Sequence, residues 1–318
     1  MTILIAESEG FSPEALEQLR ARGRVVEADL DRAGLLAAVP EADVLWVRLR
    51  NRVDDEVLQA AVRLKVIVTN TTGLNHIDLE GARRRGIAVL SLRGEVDFLR
   101  TVRATAELTV GLMLALVRRL PAAAAHAAAG GWNRYGFKGH DLYEKTIGIV
   151  GLGRLGRLVA GYARTFGMDV LATSPDAEPV DGVTIVPLDE LLGRADLVSI
   201  HVDLNPGTQG LMGARQFCAM KDGAWFVNTS RGEVVDEAAL LAALDGGRLA
   251  GAALDVLAGE PPVATHPLVR YAATHDNLIL TPHIGGYTVE SLSRTERHLA
   301  TVLLRTLDPP ASAPAPRS

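Results

Sequence analysis

Residues 146–156 read Thr146-Ile147-Gly148-Ile149-Val150-Gly151-Leu152-Gly153-Arg154-Leu155-Gly156. An apolar run passes into glycines at G-x-G-x-x-G spacing, then into a helical pattern as far as Phe166 and a second apolar run, Asp169 to Ala172. Strand, tight turn, helix and strand in that order are what a dinucleotide-binding unit needs; the glycines alone would say little. Gly151 makes the tight turn, Gly153 lets backbone come close to a pyrophosphate, and Gly156 lets the helix lie against the sheet. The helix N-terminus then offers N–H donors and the positive end of its dipole. No Lys-Ser or Lys-Thr follows, so the turn is unlike a nucleoside triphosphatase loop.

The same alternation extends in both directions. Thr2 to Ala6, Val44 to Val47, Lys65 to Thr69 and Ile87 to Leu90 read as strands. Ser12-Pro13 opens one helix, Asp54 to Val62 forms another, and Asp78 to Arg85 a third, stopped by Gly86. Downstream of the glycine turn, strands are expected at Leu197 to His201, Ala224 to Asn228, Leu249 to Asp255 and Leu278 to Thr281. Between the two series, Thr101 to Leu120 reads as one long helix, apolar over most of its circumference and therefore buried. The pattern predicts an α/β protein with parallel sheets covered by helices.

Composition narrows the classes. The chain has 318 residues, net charge −5, 48% hydrophobic and 22% charged residues. It is long enough for two domains and too acidic overall to suggest a nucleic-acid partner. Cys218 is the only cysteine, so no intrachain disulfide and no thiolate-rich metal site can form, and a reducing, cytoplasmic setting is expected. The apolar, uncharged run Leu108 to Val117 is about half of what a bilayer needs, and no membrane partner is expected. The segment 309–318, ASAPAPRS with its preceding prolines, reads as a disordered tail.

Three polar residues follow three expected strands: Arg231 in Asn228-Thr229-Ser230-Arg231-Gly232, Glu260 in Gly259-Glu260-Pro261-Pro262, and His283 in Thr281-Pro282-His283-Ile284-Gly285-Gly286. The carboxyl ends of parallel strands share one edge, where ligands bind, so groups far apart in sequence can meet there. Arg231 is suited to hold a carboxylate by two parallel hydrogen bonds, His283 to exchange a proton near neutrality, and Glu260 to fix the imidazole tautomer. Hydride chemistry would belong to a nicotinamide.

The second strand of a dinucleotide unit normally ends in an acid that holds the adenine ribose. Here Ser174 stands at that place, with no Lys or Arg between Ala172 and Pro187 and with Asp176, Glu178 and Asp181 nearby. That field predicts NAD rather than NADP.

The stretches GLGRLG, NTSRGEVVDEAAL, GAALDVLAGEPP and TPHIGG, within a match from Thr2 to about Leu307, resemble the D-isomer-specific 2-hydroxyacid dehydrogenases, and among them the short phosphoglycerate dehydrogenases. The resemblance implies that Arg231 binds substrate, Glu260 is the partner acid and His283 the proton donor. It implies that Asp255 and the backbone at Thr229 lie near the nicotinamide amide, and that Arg154, Leu155 and His201 line the dinucleotide site. It implies two doubly wound parallel-sheet domains: a flavodoxin-like substrate domain, 1–98 plus 286–308, and an inserted Rossmann NAD-binding domain, 99–285. A homodimer built partly on the long helix, and a small anionic 2-oxo or 2-hydroxy acid bound between the domains, are further implications.

The match has departures. Asn70-Thr71-Thr72-Gly73-Leu74-Asn75 is less Gly-rich than usual and lacks a preceding arginine, although Thr72 and Gly73 can offer N–H groups to a carboxylate. Arg48, at another strand end, is a candidate for an anionic substrate group. An NAD(H)-sensing protein related to corepressors is the alternative on the same fold, and the serine-feedback module of longer relatives is not expected.

Overall fold

The computed structural model describes residues 1–175, 178–261 and 264–307. Asp176 and the tail 309–318, both used in the sequence reading, lie outside the described residues. The chain forms two compact units: Met1–Val102 together with the chain from Thr288 onward, and Arg103–Tyr287.

The first unit begins with β1 (Thr2–Ile5), α1 (Pro13–Arg20), β2 (Arg24–Glu27), α2 (Arg32–Ala38), β3 (Val44–Val47) and α3 (Asp55–Ala60). It continues with β4 (Val66–Thr69), α4 (Leu79–Arg84), β5 (Ala88–Ser91) and α5 (Val96–Leu99). The strands pair in parallel in the order β2-β1-β3-β4-β5, the doubly wound order with one reversal. Both faces are covered, so a strand can be apolar at every position. In β3, Leu45 and Val47 enter the core on one face while Val44 and Trp46 enter the core on the other. Local chemistry starts the helices: Ser12, Asp31, Asp54 and Asp78 each accept a backbone N–H of the first turn. Strand β2 and helix α2 go beyond the sequence reading; β2 is a half-exposed edge strand flanked by Arg24 and Glu27, which hides its periodicity.

The second unit contains α6 (Ala104–Val117), α7 (Leu120–Ala128), β6 (Thr146–Val150), α8 (Arg154–Thr165), β7 (Asp169–Thr173), β8 (Thr184–Ile185), α9 (Leu188–Arg194) and β9 (Leu197–Ile200). It closes with α10 (Ala214–Ala219), β10 (Ala224–Asn228), α11 (Glu237–Asp245), β11 (Leu249–Leu254), α12 (Pro267–Ala272) and β12 (Leu278–Leu280). Seven parallel strands run in the order β12-β11-β10-β9-β6-β7-β8. Trp225 and Val227 of β10 face one core, Ala224 and Phe226 the other. The winding reverses at β6 and β9, which places the glycine turn at the switch point.

The helix expected over 101–120 is shorter. It ends at Val117, Arg119 takes a left-handed conformation (φ 51°), and α7 leaves at 67° to the preceding helical stretch. Pro121 explains the break. Its ring would clash with the Val117 carbonyl in a continuous helix, and that carbonyl instead accepts the His140 N–H at 3.0 Å. Burial follows the break: α6 buries seven residues and α7 none. Among the described residues, no single helix is long and apolar enough to cross a membrane.

The last helix, α13 (Val289–Leu307), belongs to the first unit and packs Leu299, Ala300 and Leu303 into its core. Arg48, the candidate for an anionic substrate group, is engaged within this unit. Its Nη2 donates to Glu296 Oε1 of α13 at 2.6 Å and its Nη1 to the Glu9 carbonyl at 2.8 Å. Glu296 is fully buried and also accepts the Ser12 N–H at 2.7 Å. Arg48 therefore ties the exit of β3 to α1 and α13, and its charge is committed inside the protein. Burial pushes the Glu296 carboxyl above its usual range, against the opposing pull of Arg48. Arg48→Ala should destabilise the first unit by about 3–5 kcal/mol, because it leaves a buried carboxylate without its cation. The loss should shrink as pH falls and Glu296 takes up a proton. Urea unfolding followed by Trp46 fluorescence, in a Trp132→Phe, Trp225→Phe background, measures it. A loss below about 1 kcal/mol, the range of an exposed pair, would contradict the assignment.

Candidate active site

At the glycine turn, backbone geometry excludes side chains where the sequence has none. Gly151 sits at φ +98°, and a Cβ there would lie 2.6 Å from the His201 carbonyl oxygen. A Cβ on Gly156 would lie 2.1 Å from the Gly151 carbonyl oxygen, so the close approach of α8 to the strand end requires glycine. Gly153 differs: it is exposed, caps α8 without a side chain, and a Cβ there would meet nothing within 4 Å. Close contact beneath the turn and open space above it fit a dinucleotide pyrophosphate resting on the first turn of the helix. Arg154 and Leu155, both half-buried, begin that helix.

His201 follows β9 and its Nε2 lies 2.8 Å from Ser199 Oγ. Burial pushes its imidazole down to about 4, so it is neutral at neutral pH. Ser174 is half-buried just past β7. Two cations that reach the stretch after β7 escaped the sequence window: Arg157 of α8 donates from Nη2 to the Glu178 carbonyl at 3.4 Å and from Nε to the Leu152 carbonyl at 3.2 Å, and Arg164 of α8 donates to the Asp181 carbonyl at 2.7 Å and to Asp181 Oδ2 at 3.0 Å. Both lie on the helix, so no inspection of residues 172–187 reveals them.

Arg231, Glu260 and His283 follow β10, β11 and β12, three adjacent strands whose carboxyl ends point the same way. His283 Nδ1 lies 2.7 Å from Glu260 Oε2, with both side chains about a quarter exposed. The other oxygen, Glu260 Oε1, accepts the Leu257 N–H at 2.9 Å. His283 occupies the left-handed region at φ 53°, unusual for a side chain of this size, and its own N–H donates to the Asp255 carbonyl at 2.9 Å.

The Asp255 carboxylate is what holds that conformation. It is 1% exposed and accepts from Thr281 Oγ1 (2.6 Å), the Ile284 N–H (2.9 Å) and the Gly285 N–H (2.8 Å). Burial raises its pKa, while these three donors pull the other way. Three of the acceptor positions of Asp255 thus go to the loop that carries His283. The Thr229 side chain is engaged as well, its Oγ1 lying 2.9 Å from Thr109 Oγ1 on α6.

The Arg231 segment is fixed from its backbone. Asn228, 1% exposed, donates from Nδ2 to the Arg231 carbonyl and accepts the Ser230 N–H, each at 2.9 Å. Arg231 Nη1 donates to the Ser230 carbonyl at 2.6 Å. Gly232 then passes directly beneath the loop of Glu260: a Cβ there would lie 2.0 Å from the Leu257 carbonyl carbon. Thr72 and Gly73 lie in the first unit, in the turn after β4, where Thr71 Oγ1 donates to the Gly73 carbonyl at 2.8 Å. Among the described residues, no group of three or more His, Cys, Asp or Glu side chains is placed to hold a metal ion.

Residues 110–285 match the family model of the D-isomer specific 2-hydroxyacid dehydrogenase NAD binding domain. A D-3-phosphoglycerate dehydrogenase of Archaeoglobus fulgidus is 40% identical over 298 residues, which is 92% of this chain and 54% of that protein. The chain thus spans about half the length of the curated relatives it matches. Among solved structures, the TT0316 protein of Thermus thermophilus aligns with a TM-score of 0.85 and 39% identity, covering 96% of this chain and 97% of that one. D-lactate dehydrogenase of Aquifex aeolicus, solved with NAD and lactic acid, aligns with a TM-score of 0.83 and 28% identity, covering 96% and 95%. With the glycine turn at the switch point and the three polar residues on neighbouring strand ends, this chain belongs to the D-isomer specific 2-hydroxyacid dehydrogenases, and its second unit is the NAD-binding domain of that family.

Proposed function

We propose that the chain is an NAD-linked oxidoreductase that interconverts a small D-2-hydroxy acid and its 2-oxo acid. The observation that carries this reading is the 2.7 Å contact between His283 Nδ1 and Glu260 Oε2, one strand away from the segment that carries Arg231. An ionised carboxylate only accepts, so Nδ1 keeps its proton and donates to Glu260, and Nε2 is the nitrogen left for substrate. In its protonated form Nε2 donates to the carbonyl oxygen of an oxo acid; in its neutral form it takes the hydroxyl proton of a hydroxy acid. NAD(H), held at Gly151, Gly153, Gly156 and the first turn of α8, accepts or supplies the hydride. Arg231 presents a planar fork to the substrate carboxylate, and its charge beside the carbonyl favours the alkoxide that forms there.

Candidate acids are 3-phosphoglycerate, glyoxylate and hydroxypyruvate. Phosphoglycerate dehydrogenases among the relatives support the first, and the lactate-bound neighbour supports a smaller acid. Because Arg48 is committed to Glu296, an acid without a phosphate is favoured. Exposed apolar surface supports a homodimer: α7 buries nothing of its own, and Leu120, Trp132 and Tyr135 are 50%, 95% and 82% exposed. The exposed, free Cys218 supports a cytoplasmic setting. Light scattering at micromolar concentration should give twice the chain mass, and a monomer there would remove the dimer.

His283→Ala should lower kcat by about 10²–10⁴-fold, the size of a lost proton donor, with NADH affinity near wild type. Arg231→Lys should lower kcat/KM for the oxo acid by about 10–100-fold, because a point charge cannot reproduce two parallel bonds. The assay is NADH consumption over glyoxylate, hydroxypyruvate, pyruvate and phosphohydroxypyruvate. Tight NADH binding without turnover on any of them would replace the enzyme by a sensor. The acids Glu178 and Asp181 should make NADH the better coenzyme in KM, although Arg164 pairs with Asp181 and Arg157 reaches the Glu178 carbonyl. A clear preference for NADPH would show that Arg157 governs the ribose end.

A further inference from the structure

A second carboxylate and imidazole lie behind the first. Glu237, the first residue of α11, accepts the Ala258 N–H on Oε1 at 2.8 Å, and its Oε2 lies 3.2 Å from Nε2 of His266, the residue that caps α12. Both side chains are 18% exposed. The amide that Glu237 holds is adjacent to the Leu257 amide held by Glu260 Oε1. Gly232 packs against the same peptide from below, at a distance that leaves no room for a Cβ. The Leu257–Ala258 peptide is therefore held by Glu237 on one side and seated on Gly232 on the other, and the peptide before it presents the Leu257 N–H from which Glu260 takes its orientation.

We propose that Glu237, braced by His266, is a positioning residue for the reaction: by fixing the Leu257–Ala258 peptide it holds Leu257 so that its N–H, in the peptide before, meets Glu260 Oε1 while Oε2 holds the His283 imidazole. The inference rests on the reading of Glu260 and His283 given above. Glu237 touches neither substrate nor coenzyme in this scheme. Removing it frees the Ala258 amide, lets the peptide rotate, and forces Glu260 to choose between Leu257 and His283. The loss falls on the proton-transfer step and spares the glycine turn, which lies three strands away from β11 in the sheet order.

The test is a cycle in the full-length protein, built from Glu237→Ala, Glu260→Gln and the double variant, with kcat, KM for the oxo acid and the dissociation constant for NADH measured on each. Glu237→Ala should lower kcat by about 10- to 100-fold, the cost of a misplaced catalytic group, and leave NADH binding within about twofold. In the Glu260→Gln background the same change should have almost no further effect, because its route to His283 is already cut. Glu237→Gln should recover most of the lost kcat, since its amide oxygen still accepts from Ala258. Should Glu237→Ala fail to fold, His266→Ala replaces it, with a smaller loss of the same kind that also vanishes beside Glu260→Gln. Wild-type kcat in Glu237→Ala, or a full and additive loss in the Glu260→Gln background, overturns the inference. If Glu260→Gln itself has wild-type kcat, the reading of the Glu260–His283 pair falls instead, so the two failures are separate.

Discussion

Glu260 uses both of its oxygens, one on the backbone of its own loop and one on an imidazole from the neighbouring strand end. A carboxylate held at only one point would rotate, and the ring it faces would lose both its tautomer and its direction. The double hold works because β11 and β12 are parallel and in register, Ala252 with Leu278 through Leu254 with Leu280, so their exits emerge side by side. Asp255 completes the arrangement from the other side by taking three donors from the loop Thr281–Gly285 and keeping His283 at its unusual backbone angle. The free energy that holds a non-glycine residue at positive φ comes from these bonds and from the buried sheet beneath them.

Much of this was legible in the sequence because the signals are local. A β-branched run, a glycine turn and a helix lie within about twenty residues, and each of Arg231, Glu260 and His283 stands a few positions after an apolar strand. Ser12, Asp54 and Asp78 announce helix starts within one turn. What escaped depends on partners distant in sequence. Arg48 looks like an open cation until α13 returns Glu296 to it from 248 positions away. The donors that Asp255 accepts come from the loop after β12, a strand and a helix further along the chain. Arg157 is invisible in the acidic stretch it borders because it sits on the preceding helix. Pro121 marks the end of the long helix in the sequence, but the apolar pattern runs on to Leu120 and hides that the last helical residue is Val117.

The two units place charge differently. In the first, a cation and an anion are buried together, and the Glu296 carboxyl is raised by burial even with its partner in contact. Such a pair gives little net stability for its desolvation cost, but it makes the packing of α1, β3 and α13 strongly dependent on one arrangement. In the second unit, the pair that matters is about a quarter exposed, so its proton can leave and return. His201, by contrast, is pushed down to about 4 by burial and stays uncharged beside the turn that receives an anion.

Close approach of backbone is the other recurring device. Gly151 and Gly156 let a strand end and a helix start touch, and Gly232 lets the arginine segment pass under the loop of Glu260. In each case the missing side chain brings two segments nearer than any other residue would allow, and the groups that act are carried on the residues alongside. Gly232 follows Arg231 directly, so the glycine that seats the Leu257–Ala258 peptide also sets where the guanidinium begins. The position of the cation and the orientation of the carboxylate are thereby coupled through Leu257, whose carbonyl meets Gly232 and whose N–H meets Glu260. A change at any of Gly232, Glu237 or Glu260 disturbs the geometry that the other two define.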